Sequence, residues 1–551
     1  MFVLHTVVDK YINSGSRLYA TFIDFKKAFD MVPHIGMLLK LQKEGIKGRI
    51  YGLIKNMYLQ VQPKLQVKVG NHLTNQFISQ KGVRQGDVLS PVLFKLFLND
   101  IHSYLDENCK PAKMGNLSIN CLLYADDMVL LSESEDGLQR CMDKMAMYCR
   151  EWDLTINYSK TKMMIFDKRG RKDQQSNLLY NSYKIEQVQS YKYLGYIFSA
   201  NGNFKEANAD RRNKGLKAAF KLMKIFKENA IGYKMGMHLF DRCIKPVLLY
   251  GSEIGCPIDK TFQKNWHGRL YNNSCNNDLE KTATFFYRYI LGVKKHTPIV
   301  GIYGETGRYP LLIEAINNSL KFLLRIIKTE NILLNAALAE NIDLTKKGKP
   351  NWLKGLKELL SHMGLDNCFE RFPPNLSQLE NTIRSSNTIL QNVFKTEWSK
   401  NLNKDKSKDG QSGNKLRSYR LFKTSYDQEQ YLAIIHDPKI RKCYTKFRLS
   451  DHNLHIETGR HAPTAKRKPP CQRLCQHCSL IETEDEFHFF SKCLKYTQER
   501  QILYTSIDTL YPAVKDLPLH EKTIWLLGSS EAFIINKVAK YIFTCFKIRN
   551  S

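Results

Sequence analysis

The chain has 551 residues, 43% hydrophobic and 25% charged, with 84 Lys and Arg against 53 Asp and Glu, a formal charge of +31. That balance leaves ample material for folded cores over roughly three to four domains, and no stretch approaches the ~20 apolar residues of a membrane-spanning helix. So large a basic excess attracts polyanions, so nucleic acid is the expected partner and a membrane is not.

The 14 cysteines are scattered except between Cys471 and Cys493, which excludes a disulfide framework and fits a reducing compartment. An intracellular place, nuclear or cytoplasmic, is expected. The opening MFVLHTVVDK is a poor signal peptide, since its short apolar run is interrupted by His5 and stopped by Asp9.

In chain order, RLYATFIDF (Arg17 to Phe25) predicts a strand rich in aromatic and β-branched residues. HIGMLLKLQKEGI (His34 to Ile46) has helical apolar spacing and ends at Gly45. SPVLFKLFLNDIHSYL (Ser90 to Leu105) predicts a helix with Ser90 as N-cap and Pro91 at its first position. Residues 205 to 335 look largely helical, and NLNKDKSKDGQSGN (Asn401 to Asn414) reads as a solvated linker. No internal repeat is present.

Two features carry chemistry. In LLYADDMVLLS (Leu122 to Ser132), Asp126 and Asp127 sit between apolar runs that suit two strands joined by a tight turn. An Asp-rich turn facing water is the plain reading. Asp24, flanked by Phe22, Ile23 and Phe25, is a third carboxylate on an apolar strand. Like charges leaving such strands cost several kcal/mol by order of magnitude unless a cation compensates them. Hard oxygen donors suit Mg²⁺, and two ions about 4 Å apart activate an attacking oxygen and stabilise a leaving one.

Here the sequence resembles a known family. TFIDFKKAFDMVPH, KGVRQGDVLSPVLF, LLYADDMVLL, INYSKTKMMIF and YKYLGYIFS occur in that order and look like the palm motifs of reverse transcriptases of non-LTR (LINE-type) retrotransposons. The resemblance implies an α+β polymerase palm with an antiparallel sheet, a helical thumb, a helical connector and a small zinc-binding tail. It divides the chain into palm (1–200), thumb (201–300), connector and linker (301–414) and basic C-terminal domain (415–551). It implies RNA-directed DNA synthesis on an RNA template, with a DNA primer or target and deoxynucleoside triphosphates. Asp24, Asp126 and Asp127 match the ligands of two Mg²⁺ ions. Phe29 matches an aromatic gate against the ribose 2′-hydroxyl. Gln85 and Gly86 fall in the stretch under template and nucleotide, and Tyr124 opens the YADD box. Lys160 matches a lysine near the triphosphate, and Tyr193, Leu194 and Gly195 match a primer-gripping hairpin. Asp30 is expected to serve a turn or cap. Relatives carry a fingers region and usually an endonuclease before the palm, whereas 23 residues precede Asp24 here. A missing fingers or endonuclease region is therefore an expected partner. The alternative reading is an inactive truncated fragment that still binds RNA or DNA.

After the palm, Arg211, Arg212, Lys214, Lys217, Lys221 and Lys224 are candidates to line a duplex groove. In the tail, Cys475, Cys478, His488 and Cys493 have the spacing C-x2-C-x9-H-x4-C. A pair of cysteines two apart forms a zinc knuckle that a His and a Cys can close into a structural tetrahedron. Cys471 competes as a ligand, and His477 is expected to be a bystander. This segment, with HNLHIETGRH (His452 to His461), resembles the Cys/His tail of the same elements. Arg441, Lys442, Lys446 and Arg448 alternate with Tyr444 and Phe447, and Lys466-Arg467-Lys468 precedes the cluster. Cations interleaved with stackable rings suit single-stranded or structured RNA.

Overall fold

In the computed structural model the first predicted strand forms as β1 (Leu18–Ile23), buried at every position. A strand is buried on both sides only when both faces of its sheet are covered. The structure describes residues 1–60, 64–79, 81–170, 176–228, 231–255, 266–369, 374–404, 415–461 and 468–551. They divide into two units: residues 1–207 with 322–358, and residues 208–321 with 359–551. Most of the predicted linker (405–414) and Lys466-Arg467 lie outside the described residues.

In the first unit β1 is the middle of a five-stranded sheet. The others are β2 (Cys121–Tyr124), β3 (Asp127–Ser132), β4 (Lys162–Phe166) and β5 (Glu186–Gln187), in the order β5-β4-β1-β3-β2. Pairing is antiparallel except between β4 and β5. The β1–β3 register sets Tyr19 opposite Ser132 and Ile23 opposite Met128. Alternation along β1 sends Tyr19 and Ile23 to one face and Phe22 to the other. The first face packs on helices α2 (His34–Lys43), α3 (Ser90–Phe97) and α4 (Glu135–Glu151), through Met37, Leu41, Phe94, Phe97, Leu138 and Met142. Each such side chain contributes about 1.5–3 kcal/mol when fully buried. On the other face Phe22 stacks on Tyr191, centroids 4.4 Å apart, in the hairpin β6 (Ser190–Tyr193) and β7 (Tyr196–Ser199).

Helix α1 (Phe2–Ser14) ends at Gly15, whose φ of +75° closes the last turn. It packs on the helix Ile332–Lys346 of the same unit, held by Lys10 to Glu340 at 3.1 Å. Its Thr6 Oγ1 accepts from Asn341 Nδ2 at 2.9 Å.

The helix predicted over Ser90–Leu105 is broken. It runs Ser90–Phe97 and resumes at Ile101–Tyr104. At the break the buried Lys40 ammonium donates to Phe97 O and Asp100 Oδ1, each at 2.8 Å. It also sits over the Trp152 ring at 3.9 Å. Leu89, not Ser90, is the N-cap. The Ser90 hydroxyl instead donates to Arg84 O at 2.5 Å, so it secures the preceding loop.

The second unit is helical. Its landmarks are α5 (Asp278–Leu291), α6 (Ile299–Thr306), α7 (Leu376–Asn403), α8 (Pro438–Arg448) and α9 (Ala532–Asn550). Trp398 of α7 donates from its indole to Val300 O of α6 at 2.8 Å. Phe394 sits among the rings of Tyr271, Tyr303 and Tyr426 at 5.2–5.7 Å. The Arg448 guanidinium, 2% exposed, pairs with the fully buried Glu305 at 3.1 Å and with Glu429 at 2.7 Å. Removing one partner of such a buried pair costs about 3–5 kcal/mol.

Candidate active site and Cys/His centre

The β2–β3 hairpin pairs Tyr124 with Asp127, leaving Ala125 and Asp126 as a two-residue turn. Ala125 has φ +54°, a left-handed conformation that costs an alanine about 1–2 kcal/mol. Because Ile23 lies opposite Met128, continuing that register brings Asp24 to the level of Asp127. Desolvation, then the charges of Asp126 and Asp24, push the Asp127 carboxyl above its usual range. The three carboxylates thus share one end of the sheet. Asp126 and Asp127 are exposed and Asp24 is half-buried. Among the described residues none of the three side chains has a hydrogen-bond or ion-pair partner.

The loop after α4 is tied to this corner. Asn157 N donates to Asp24 O at 2.7 Å, and Asp24 N donates to Thr161 Oγ1 at 3.2 Å. Lys160 stands exposed between these two anchors. In the β6–β7 hairpin, Leu194 (φ +51°) and Gly195 (φ +75°) form the turn between Tyr193 and Tyr196. Two successive positive φ values make the primed turn that fits strand twist, and glycine adopts it freely. Tyr193 is buried, its hydroxyl donating to Leu122 O at 3.4 Å. Burial, then the charges of Asp24 and Asp127, push the Tyr191 hydroxyl up, so Tyr191 also stands near the carboxylates. It escaped the sequence reading, although its two-residue spacing from Tyr193 marks a shared strand face.

Phe29 lies in a short 3-10 turn (Ala28–Asp30), half-buried and stacked on Phe94 at 4.6 Å. Asp30 Oδ1 accepts from Gln85 Nε2 at 2.9 Å, a contact that orients Gln85. Gly86, at φ +83°, has open space where a side chain would project. The close approach in this loop is at Gly82 (φ +94°), where a Cβ would come to 3.0 Å from Asp30 O. Tyr124 is exposed.

In the second unit Cys475, Cys478, His488 and Cys493 place one ligand atom each within 4.8 Å of the others. Cys475 Sγ lies 3.9 Å from Cys493 Sγ, and Cys478 Sγ lies 3.4 Å from His488 Nε2. His488 Nδ1 meets Glu482 Oε2 at 3.2 Å. That carboxylate fixes the tautomer leaving Nε2 free to ligate, a supporting role the sequence reading missed. His477 N points at Cys475 Sγ at 3.4 Å, and Cys475 N donates to Glu482 O at 2.8 Å. Burial pushes the Cys475 thiol above its usual range. Cys471 is exposed and outside the cluster. Every other described cysteine is also unpaired.

The basic stretches divide. On the helix Lys205–Glu228, Lys217, Lys221 and Lys224 are exposed. Arg211 is buried and donates to Tyr250 O at 2.9 Å, Arg212 reaches Asp278 at 3.8 Å, and Lys214 pairs with Asp210 at 2.5 Å. On α8, Arg441, Tyr444, Phe447 and Arg448 are core residues, because they share the face that packs inward. They are not the surface for stacking bases that the alternation suggested.

Comparison with known proteins places the first unit. Residues 4–198 match the family described as reverse transcriptase (RNA-dependent DNA polymerase). A probable RNA-directed DNA polymerase from transposon BS of Drosophila melanogaster is 26% identical over 247 residues, 43% of this chain and 26% of that protein. The Pol polyprotein of the type-1 retrotransposable element R2 of Nasonia vitripennis is 28% identical over 34% of this chain and 18% of its own length. The RNA-directed DNA polymerase from mobile element jockey of D. melanogaster is 25% identical over 46% of this chain and 28% of its own. These matches span less than a third of each relative. Apo telomerase from Candida tropicalis aligns over 61% of this chain and 56% of its own at 12% identity, with a TM-score of 0.29, too low to carry an argument. No helix among the described residues is long and apolar enough to cross a membrane.

Proposed function

We propose that this chain, whose residues 4–198 form a reverse transcriptase domain of the non-LTR retrotransposon kind, is an RNA-directed DNA polymerase. A primer 3′-hydroxyl attacks the α-phosphate of a deoxynucleoside triphosphate and pyrophosphate leaves. The observation that carries the reading is the meeting of Asp24, Asp126 and Asp127 at one sheet end, with no ion pair to any of them among the described residues. An oxygen-only, solvent-open donor set of this kind fits Mg²⁺. When bound, a pair of such ions supplies Lewis-acid activation and charge neutralisation at the transferring phosphate.

The chain's own residues do the rest. The strained turn at Ala125 fixes Asp126 opposite the strand that carries Asp24. Lys160, held beside Asp24 by the Asn157 and Thr161 contacts, offers charge or a proton to the pyrophosphate. Phe29, braced by Phe94, crowds a 2′-hydroxyl and favours deoxynucleotides. Gln85, oriented by Asp30, together with Gly86 and Tyr124, faces template and nucleotide. The Tyr193-Leu194-Gly195 turn grips the primer strand. The Cys/His cluster offers three sulfurs and one nitrogen, the donor set of a structural Zn²⁺ with no open position. Palm, thumb, connector and zinc tail remain our functional division, with RNA template and DNA primer or target as partners.

Primer extension on an RNA template tests this. The wild-type chain should extend, and Asp126→Ala should lose at least about a thousandfold, near 4 kcal/mol. Equal extension by both proteins, or binding of primer-template with no extension by the wild type, would refute the assignment.

A further inference from the structure

The second unit has a half-open pocket of about 430 Å³ whose lining includes Lys294, Lys439, Lys442 and Lys446. The three α8 lysines recur at a spacing of three and four residues, so they form one stripe about 10 Å long. Asp437 caps the helix, accepting from Lys439 N at 2.7 Å, and the stripe is therefore rigidly presented. Among the described residues none of the four ammonium groups has an acidic partner. The one carboxylate lining the cavity, Asp451, is buried and already engaged by Lys294 N at 2.7 Å and Lys415 Nζ at 3.3 Å. Lys442 is held in place. A side chain at Gly292 would come within 2.4 Å of its stem, and its ammonium lies 5.8 Å from the Tyr289 ring centre. Burial and the charges of Arg441 and Lys446 push its ammonium below the usual lysine range. Four like charges gathered around one cavity repel each other unless an anion sits among them.

We propose that this cavity and its lysine rim are a phosphate-binding site that anchors consecutive phosphates of a single nucleic-acid strand. The site is distinct from the carboxylates. That the anion is a polynucleotide rests on the polymerase reading, and three ammonium groups in a row suit a string of phosphates better than a single one. The cavity is large enough for a ligand group to enter.

The test uses the full chain and a labelled single-stranded RNA oligonucleotide, with binding measured across salt concentrations. K439E/K442E/K446E should raise Kd by about tenfold or more and reduce the salt slope by about 2. An equal charge change at exposed lysines elsewhere, K495E/K515E/K540E, should do markedly less. If the first triple lowers the melting temperature, K439Q/K446Q should still reduce the slope by about 1.4. Affinity and slope unchanged in these variants, or equal losses in both triples, would overturn the proposal. So would displacement of the strand by a deoxynucleoside triphosphate or inorganic phosphate at matched phosphate concentration, which would assign the cavity to a free anion. A wild-type chain that fails to extend a primer, while the rim variants still lose strand binding, would remove the polymerase reading and leave the site standing.

Discussion

The carboxylate corner and the Cys/His centre present metal-type ligands in opposite ways. At the corner, two of three side chains are exposed, none has a partner among the described residues, and the turn that presents them is strained at Ala125. In the Cys/His centre, Cys475, His488 and Cys493 are buried and the histidine is braced by Glu482. Open ligands leave coordination positions for a substrate, whereas four enclosed ligands leave none. The corner therefore suits turnover and the centre suits folding. Mutation should separate the two: loss of the first should cost activity and spare stability, and loss of the second should do the reverse.

The largest effect is expected at the closed centre. Structural zinc contributes ~10 kcal/mol or more in small domains. Cys493→Ser, or a strong chelator, should therefore lower the melting transition of the second unit by more than 10 °C. Metal analysis should fall from one zinc per chain to none. Melting that ignores the chelator would mean that packing alone holds these side chains together. Next comes Asp126→Ala. Alongside its thousandfold loss in extension, its melting temperature should stay level or rise slightly, because a like charge beside Asp127 has gone. A fall of several degrees would make the carboxylates structural and erase the contrast.

Much of both sites was legible because the signals are local. The aromatic and β-branched run of Arg17 to Phe25 located β1, and the run CLLY-AD-DMVLL gave the hairpin and its turn. The Cys and His spacing picked out the four side chains that the fold brings within 4.8 Å of one another, and Cys471 stays outside that group. What failed depended on distant partners. The helix from Ser90 breaks because Asp100 and the Phe97 carbonyl turn to serve Lys40, 60 and 57 residues earlier. Arg448 looked like a nucleic-acid contact because Glu305, 143 residues earlier, was not visible as its partner. Arg441, Tyr444, Thr445 and Arg448 recur at helical spacing and share the buried face, whereas Lys442 and Lys446 between them are half-buried.

A third kind of carboxylate sharpens the comparison. Glu280 of α5 is fully buried, accepting from Tyr303 Oη at 2.6 Å and Leu311 N at 2.7 Å. Burial pushes it up to about 7. A folded-state value raised above the unfolded one means the folded chain holds the proton longer. Its penalty is therefore absent below about pH 4.5 and grows as pH rises towards 7, reaching about 3 kcal/mol. Glu280→Gln should flatten the loss of stability across that window, read as melting temperature against pH. An unchanged slope would show that other groups set it.

The smallest effect probes the strain itself. Glycine at 125 would relieve about 1–2 kcal/mol of left-handed backbone cost and return about 0.4–1 kcal/mol through the looser unfolded chain. Ala125→Gly should therefore stabilise the first unit by roughly 0.5–1 kcal/mol. If the strained turn serves to hold Asp126 at the end of the sheet that carries Asp24, the same change should lower primer extension while raising stability. A gain in stability with extension unchanged would show that the strain is incidental. A loss of stability would show that the alanine methyl packs favourably enough to offset its backbone, and the corner would then be held by packing, as the Cys/His centre is.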